Sequence, residues 1–450
     1  MTHDAQVTAK ISDGLLGGSG VAHADRLGPA DAAVVQRLEC GCGAAYPAWQ
    51  MLADCPTCHG KLRYTMTGRL SAPTRDPALR GMWRFVDLLP VRSRGDVVSL
   101  GEGGSAIVDL PETREALREA RLFLMLDGVQ NPTGTFKDRE AALIISRCKA
   151  LGLDHLVFYS TSNTGRSYMH YAASMGLTTY LFVPAECLYK HTASILKGPK
   201  NHLIAVAGEY PRIAPYAKAF AAANGLTLVA PLHDRTQAYT TLAYEQVEQM
   251  PNCDFFAQTI ASGMGPIGFL RGHEHLARLG APAPSGVPRI VCVQSSETNV
   301  MSRAYQAGRS ALTDADLPAT WPDRLFEPTL NSTNPVNNYP ELATCLRASN
   351  GLITDVPPVF VTSQAATLVR ALDQHGIALD VEIEKSLVIG YAGLVRLADE
   401  GRFQRGDRIL LLATGRGGRR SHELIPPDLI VRPSTDDPKD VYRRLRSASV

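Results

Sequence analysis

Neither sign of charge is in excess in this chain: 46 basic side chains stand against 44 acidic ones in 450 residues, a net charge of +2. Without a general positive field the protein has no means of gathering nucleic acid or anionic lipid, so any anion it recognises must be met locally. Long apolar runs are also lacking. None approaches the roughly 20 residues a membrane helix needs, and Met1 to Gly20 carries acidic and polar residues where a secretion signal needs an apolar block. A cytoplasmic protein with no nucleic-acid or membrane partner is the expectation. Tandem repeats and long low-complexity tracts are missing too, which argues against a solenoid. What remains is a chain long enough for two or three domains, with 45% hydrophobic residues to fill them.

Cysteines number nine and fall into two groups. Cys148, Cys187, Cys253, Cys292 and Cys345 are scattered through apolar segments and read as reduced core thiols. Cys40, Cys42, Cys55 and Cys58 crowd together. Cys55-Pro56-Thr57-Cys58 has the spacing of a zinc knuckle, whereas Cys40-Gly41-Cys42 is one residue short of it, which makes His59 a substitute ligand to consider. Structural zinc and a redox or metal-free cluster both fit. Four thiolates leave no open coordination position, so catalytic zinc does not.

Residues 1–35, rich in Gly, Ala, Asp and Ser without a period, predict a flexible arm, and 36–70 form the Cys-rich module. From Leu122 short apolar runs alternate with longer helical patterns, the mark of parallel strands joined by helical crossovers. Strands are predicted at Leu122–Leu126, His155–Tyr159, Thr178–Val183, His202–Val206, Asp254–Ile260, Arg289–Gln294 and Arg408–Ala413. Helices between them are predicted to close at Gly152, Gly176, Gly225, Gly280, Gly376 and Gly401, where glycine takes the left-handed conformation. The fold class is α/β with covered parallel sheets, and its ligands belong at the carboxyl ends of the strands. Residues 426–450 are polar and charged and read as a solvated tail.

Three loops pair small residues with a specific polar group. In Asn131-Pro132-Thr133-Gly134-Thr135-Phe136-Lys137-Asp138-Arg139 a lysine stands at a helix start, where the macrodipole disfavours a cation. Partial burial there lowers a lysine pKa, as a reactive amine requires, although an exposed surface lysine has the same text. In Ser160-Thr161-Ser162-Asn163-Thr164-Gly165 small side chains admit a flat ring, Asn163 can donate to an oxygen on it, and the following helix start suits a carboxylate; a helix cap without ligand is the plain alternative. In Ser262-Gly263-Met264-Gly265-Pro266-Ile267-Gly268 the glycines fit G-x-G-x-x-G, whose amides suit a phosphate. A nicotinamide site would want an acidic residue closing the next strand, where Ser295-Ser296 stands instead.

Taken together, the loops resemble the threonine synthase family of pyridoxal-5′-phosphate (PLP) enzymes, of the tryptophan-synthase-β-like fold. The resemblance runs from the Cys-rich segment to about Arg420. It implies that Lys137 holds PLP as a Schiff base, that Asn163 touches the PLP 3′-oxygen, that Ser262, Gly263, Met264 and Gly265 bind its phosphate, and that Thr414, before Gly415, bonds to the pyridine nitrogen. Gly81-Met82-Trp83-Arg84-Phe85, Leu89-Pro90 and Leu100-Gly101-Glu102-Gly103-Gly104-Ser105 are similar to the family's amino-terminal blocks. It further implies two doubly wound parallel-sheet domains with PLP in the cleft, 71–130 with 240–425 as the large domain and 131–239 as the small one, preceded by a zinc-ribbon-like module. Relatives of this kind are commonly homodimers.

The departures concern the substrate. Gly165-Arg166-Ser167-Tyr168 stands where threonine synthases follow Asn-Thr with Ser and Ala, and Ala238-Tyr239-Thr240-Thr241 stands where they carry G-Q-K-T. The Asn-Thr-Gly-Arg run and Tyr305-Gln306-Ala307-Gly308-Arg309 resemble cysteate synthase, which replaces the phosphate of O-phosphoserine with sulfite; the lysine block does not. Ser160, Thr161, Ser162, Thr164 and Arg166 are the candidate substrate contacts, Arg166 for its planar fork toward an anion. His170, a turn further on, reads as packing. The expected reaction is phosphate loss from an O-phospho amino acid followed by addition of a small nucleophile, with cysteate the leading product and threonine, from O-phosphohomoserine and water, the alternative. A nicotinamide-dependent oxidoreductase and a catalytically silent binding protein are the rivals from other classes.

Overall fold

The computed structural model describes residues 34–52, 54–69, 76, 78–160, 163–191, 200–208, 213–229, 234–318, 325–331, 335–379, 385–416 and 425–447. Near the amino terminus, β1 (Val35–Cys40) pairs antiparallel with β2 (Ala45–Pro47) and β3 (Leu62–Thr67) in a three-stranded sheet that carries the four clustered cysteines on its turns.

A six-stranded sheet follows, built from β4 (Ile107–Asp109), β5 (Arg121–Met125), β10 (Phe255–Thr259), β11 (Arg289–Ser295), β12 (Leu352–Val356) and β13 (Arg408–Leu412) in the order β12-β11-β10-β13-β5-β4. Only the edge strand β4 runs antiparallel to its neighbour. A second sheet has the order β14-β8-β7-β6-β9, from β6 (His155–Tyr159), β7 (Thr178–Pro184), β8 (Asn201–Val206), β9 (Thr227–Leu228) and β14 (Leu429–Val431), all parallel. Parallel strands need crossovers, and helices supply them on both faces, so the strands are apolar on both sides.

The helices are α1 (Asp127–Gln130), α2 (Lys137–Ala150), α3 (Asn163–Ser174), α4 (Ile213–Asn224), α5 (Asp234–Gln249), α6 (Met264–Arg278), α7 (Val300–Gln306), α8 (Pro335–Ala348), α9 (Pro358–Gln374), α10 (Ser386–Asp399) and α11 (Pro438–Ser447). Alternation within each strand decides which layer it feeds. Leu122 and Leu124 of β5 pack with Leu368 and Leu387 of α9 and α10, while Phe123 and Met125 point to the opposite core with Tyr239 of α5 and Ile267 of α6. In the second sheet Leu156 and Phe158 meet α2 and α3, and Val157 meets Phe220 of α4 and Leu445 of α11.

Every strand expected from the sequence is present to within a residue at each end, and the six helix-closing glycines have φ from +63° to +83°. Four strands outside the amino-terminal module were not foreseen: β4, β9, β12 and β14. The last of these corrects the reading of 426–450 as a solvated tail. Val431 adds β14 to the edge of β8, and Val441 and Leu445, four residues apart, bury one face of α11 while Arg443, Arg444 and Arg446 remain exposed. Composition alone concealed an amphipathic helix.

Candidate active site

The Asn131–Phe136 turn is fixed from both sides before it delivers Lys137. Asn131 accepts from the Gly103 amide at 2.9 Å through Oδ1 and donates to the Thr135 carbonyl at 3.1 Å through Nδ2. Gly134 has φ +75°, which L side chains avoid, and a Cβ there would lie 2.6 Å from the Arg416 side chain. The Phe136 amide donates to the Thr414 carbonyl at 3.0 Å, and Thr135 bridges Gly415 across the strand end. The lysine turn and the Thr414 turn are thereby stitched together at the carboxyl ends of β5 and β13.

Lys137 opens α2 with its side chain 16% exposed. Its Nζ donates to the Tyr239 hydroxyl at 3.0 Å, lies 3.7 Å from a Glu140 oxygen and sits 4.4 Å from the centroid of the Phe136 ring. Burial lowers its pKa to about 8, the Arg235 charge adding to this and Glu140 opposing it. Tyr239 in turn donates to Glu140, whose carboxylate also accepts a two-pronged grip from Arg235. Burial works to raise the Glu140 pKa, but the charges of Arg235 and Lys137 overcome it and hold the group at about 2.

The next two residues are buried as well. Asp138 accepts from the Thr133 amide at 2.7 Å, the Thr133 hydroxyl at 2.5 Å and the Ser167 hydroxyl. Burial nevertheless pushes its pKa up to about 7. Arg139 donates to Asp127, Glu245 and Thr241, all fully buried, pinning α2 to α1 and α5.

Of the second loop, Thr161 and Ser162 lie outside the described residues. Ser160 follows β6 with its amide on the Phe182 carbonyl at 3.0 Å, and half-buried Asn163 begins α3. Thr164 accepts from Arg235 at 2.8 Å, which links α3 to the lysine network. Arg166 is only 3% exposed, and its charge bears on Asp138, His170 and His191. His191 is fully buried with neither ring nitrogen hydrogen-bonded among the described residues, and burial lowers its pKa to about 3. His170 is likewise lowered, by burial first and by Arg166 second.

The glycine loop divides its labour. Gly263, at φ +78°, turns the chain from β10 into α6. Gly265 and Gly268 serve packing: a Cβ would fall 2.2 Å from the Gln258 amide at the first and 2.5 Å from the Tyr239 Cβ at the second. Half-buried Ser262 and Met264 flank Gly263, and the opening amides of α6 have no partner within the helix. Thr414 pairs its hydroxyl with that of Ser386 at 2.8 Å, and the Ser386 carbonyl accepts from Thr259 at 2.5 Å. Lys137, Ser160, Ser262 and Thr414 thus all follow the carboxyl ends of parallel strands, β5, β6, β10 and β13.

Glu140, Arg235 and Ser386 are site-lining residues that the sequence did not single out, and Tyr239 stood out only as part of the Ala238–Thr241 departure. Glu140 stands one helical turn from Lys137, a spacing that marks it as a partner. Ser386 carries no sequence signal at all.

The cysteine cluster is a separate centre. The sulfurs of Cys40, Cys42, Cys55 and Cys58 lie within 4.8 Å of one another, with Cys40 to Cys58 at 3.4 Å and Cys42 to Cys55 at 3.8 Å. Tetrahedral zinc with Zn–S near 2.3 Å needs sulfurs about 3.8 Å apart, so four thiols so placed can hold a structural zinc. The short Cys40-Gly41-Cys42 spacing closes because Gly43, at φ +91°, turns the chain and donates to the Cys40 carbonyl. His59 is outside the cluster; it takes φ +59° and donates its amide to the Cys55 carbonyl, so it shapes the turn instead of supplying a ligand.

Among known proteins, a threonine synthase of Methanocaldococcus jannaschii is 25% identical over 406 residues, covering 88% of this chain and 94% of the relative. A cysteate synthase of Methanocorpusculum labreanum is 26% identical over 362 residues, covering 76% and 84%. Maize serine racemase shares the fold, with a TM-score of 0.55 at 15% identity over 70% of this chain and 90% of that one. A family model, "Pyridoxal-phosphate dependent enzyme", matches residues 98–415. The side chains suit that cofactor: an amine of lowered basicity, a positive-φ glycine opening a helix, and a hydroxyl pair beside the lysine turn. The nicotinamide alternative finds no support beside such a match. Spanning well over half of the sequence, it makes the chain a member of the pyridoxal-phosphate dependent enzyme family.

Proposed function

We propose that this enzyme, of the threonine synthase and cysteate synthase kind, removes phosphate from an O-phospho amino acid and adds a small nucleophile in its place, with O-phosphoserine and sulfite giving cysteate as the leading reaction. The observation that carries the choice is Arg166, a guanidinium 3% exposed on the first turn of α3, directly after the Asn163-Thr164 loop. A desolvated planar cation is suited to hold sulfite or the departing phosphate. The similar proteins include both a threonine synthase and a cysteate synthase, and O-phosphohomoserine with water remains the second reading.

Lys137 would hold PLP, with the Gly263 turn at its phosphate, Asn163 at its ring oxygen and the Thr414 hydroxyl, itself held by Ser386, at its ring nitrogen. The bound cofactor supplies an electron sink for a carbanion at the substrate Cα. The protein's own part is to place a base and exclude water. A lysine amine lowered to about 8 is largely protonated at neutrality but within reach of its base form, so Lys137 can take the α-proton once released. A hydroxyl at the ring nitrogen does not protonate it, which favours elimination and replacement over amino-group transfer. Ser160 and Thr164, on either side of Asn163, join Arg166 as the substrate-contact candidates among the described residues.

Purified protein incubated with O-phosphoserine or O-phosphohomoserine, each with and without sulfite, gives the test through the amino acid formed. Cysteate made only from O-phosphoserine with sulfite supports the leading reading; threonine from O-phosphohomoserine overturns it in favour of the second.

A further inference from the structure

The hydroxyl of Tyr239 is held at a fixed point. The side chain is fully buried, its ring stacks on Phe136 at 4.9 Å with 27° between planes, and Gly268 allows α6 to close on its Cβ. A phenol has one proton to give, and here it goes to Glu140. The oxygen lone pairs are then left to accept, and the Lys137 Nζ donates to them at 3.0 Å. Glu140 does not drift toward the lysine, because Arg235 holds both of its oxygens. The direction of every hydrogen bond in the row from Lys137 through Tyr239 to Glu140 follows from the chemistry of its members.

We propose that Tyr239 and Glu140 form the seat of the Lys137 amine whenever it is not joined to the cofactor, with Tyr239 the positioning residue. The inference rests on the reading that Lys137 holds PLP and adds where the released amine goes. A free lysine with four rotatable bonds would otherwise spread over many positions and lose its alignment with the reacting carbon. The charges give the seat a particular strength. Glu140 favours the ammonium, but Arg235, salt-bridged to the same carboxylate, takes up much of its field. The amine is thus neither locked as ammonium nor stripped of its proton by burial, and it rests near about 8 instead of at either extreme.

The test uses the full chain stripped of cofactor, with competitive acylation of Lys137 by acetic anhydride across pH, read by mass spectrometry on its peptide. Wild type is expected to show a midpoint near about 8. Glu140→Gln removes the negative charge at 3.7 Å and should move the midpoint down by about one unit or more, at least a tenfold rise in the ratio of free amine to ammonium at neutral pH. Tyr239→Phe, which keeps the ring stack, should move it down by less, since only a hydrogen-bond acceptor is lost. Arg235→Gln should move it up. Opposite signs are the signature of a seat, because simple loosening would admit water and move all three variants up toward ordinary lysine. Midpoints that stay at the wild-type value in Glu140→Gln and Tyr239→Phe, or a common upward shift, overturn the proposal. If Tyr239→Phe does not fold, the opposed shifts of Glu140→Gln and Arg235→Gln still decide it. Failure of borohydride to tether PLP to wild-type Lys137 would sink the cofactor assignment, and the labelling would still report on the seat.

Discussion

Arg235 meets Glu140 side-on, Nε to one carboxylate oxygen at 2.9 Å and Nη2 to the other at 2.7 Å, and the same Nη2 reaches the Thr164 hydroxyl at 2.8 Å. One guanidinium therefore ties the start of α5 to the first turns of α2 and α3. Glu140 is fully buried and the Arg235 side chain is 13% exposed, so neither charge can fall back on water.

Removing one partner of such a pair leaves the other uncompensated. Glu140→Ala is expected to destabilise the protein by roughly 3 kcal/mol, read as a fall in Tm. Arg235→Lys, which keeps the charge but loses the fork, should cost about 1 kcal/mol. An Arg235→Lys variant as stable as wild type would show that the geometry of the fork plays no part.

The two acidic residues flanking Arg139 respond to pH with opposite sign. Glu140, held at about 2, has a folded pKa below its unfolded value, so its stabilising contribution is complete above about 4.3 and is lost as pH falls through the folded value. Asp138, pushed up to about 7, has a folded pKa above its unfolded value, so stability present at low pH is lost as pH rises from about 4 through 7. Thermal melts across pH should therefore show a shallower acid limb in Glu140→Gln and a shallower decline between pH 5 and 8 in Asp138→Asn. Parallel curves for wild type and both variants would contradict these assignments.

The glycines of the third loop should separate by function. Gly265→Ala forces a methyl to within 2.2 Å of the Gln258 amide and should lower Tm by displacing α6 from β10. Gly263→Ala places a side chain at φ +78° in the turn itself, with Leu342 at 2.9 Å. There the backbone must shift by an amount costing about 1–3 kcal/mol, and the expected result is a PLP dissociation constant raised about tenfold in fluorescence titration. A Gly263→Ala protein that retains wild-type affinity for PLP would remove that turn from the phosphate site.

Metal analysis of the purified protein should find one zinc per chain, retained in His59→Ala and lost in Cys42→Ser and Cys55→Ser. Retention in either serine variant would mean that the four sulfurs do not act together.

Much of this architecture is legible in the sequence because buried parallel strands write themselves as short apolar runs, as in Arg408–Leu412, and because glycine marks helix ends by its backbone freedom. The strands that escaped are short or mixed in text: β4 and β14 have three residues each, and β12 carries Thr354 and Asp355 among its apolar residues. Their strand character comes from the neighbour they pair with. The lysine turn announces itself for a similar reason, since Asn131, Gly134 and Lys137 each meet a local demand. Ser386 and Arg235 do not. They stand 28 residues before Thr414 and 95 residues after Glu140, and only the folded chain brings those pairs together. Arg166 shows the reverse limit: its position was readable, but its burial and its influence on His191 were not.

The helix that begins at Lys137 ends near Arg147, whose guanidinium donates to the carbonyls of Ala48, Trp49 and Gln50 and to the Tyr64 hydroxyl. Fourteen residues of α-helix form a rod about 20 Å long. One tip carries the Lys137 amine and the other is clamped to the cysteine-bearing sheet, so the candidate active site and the cysteine cluster share a single strut.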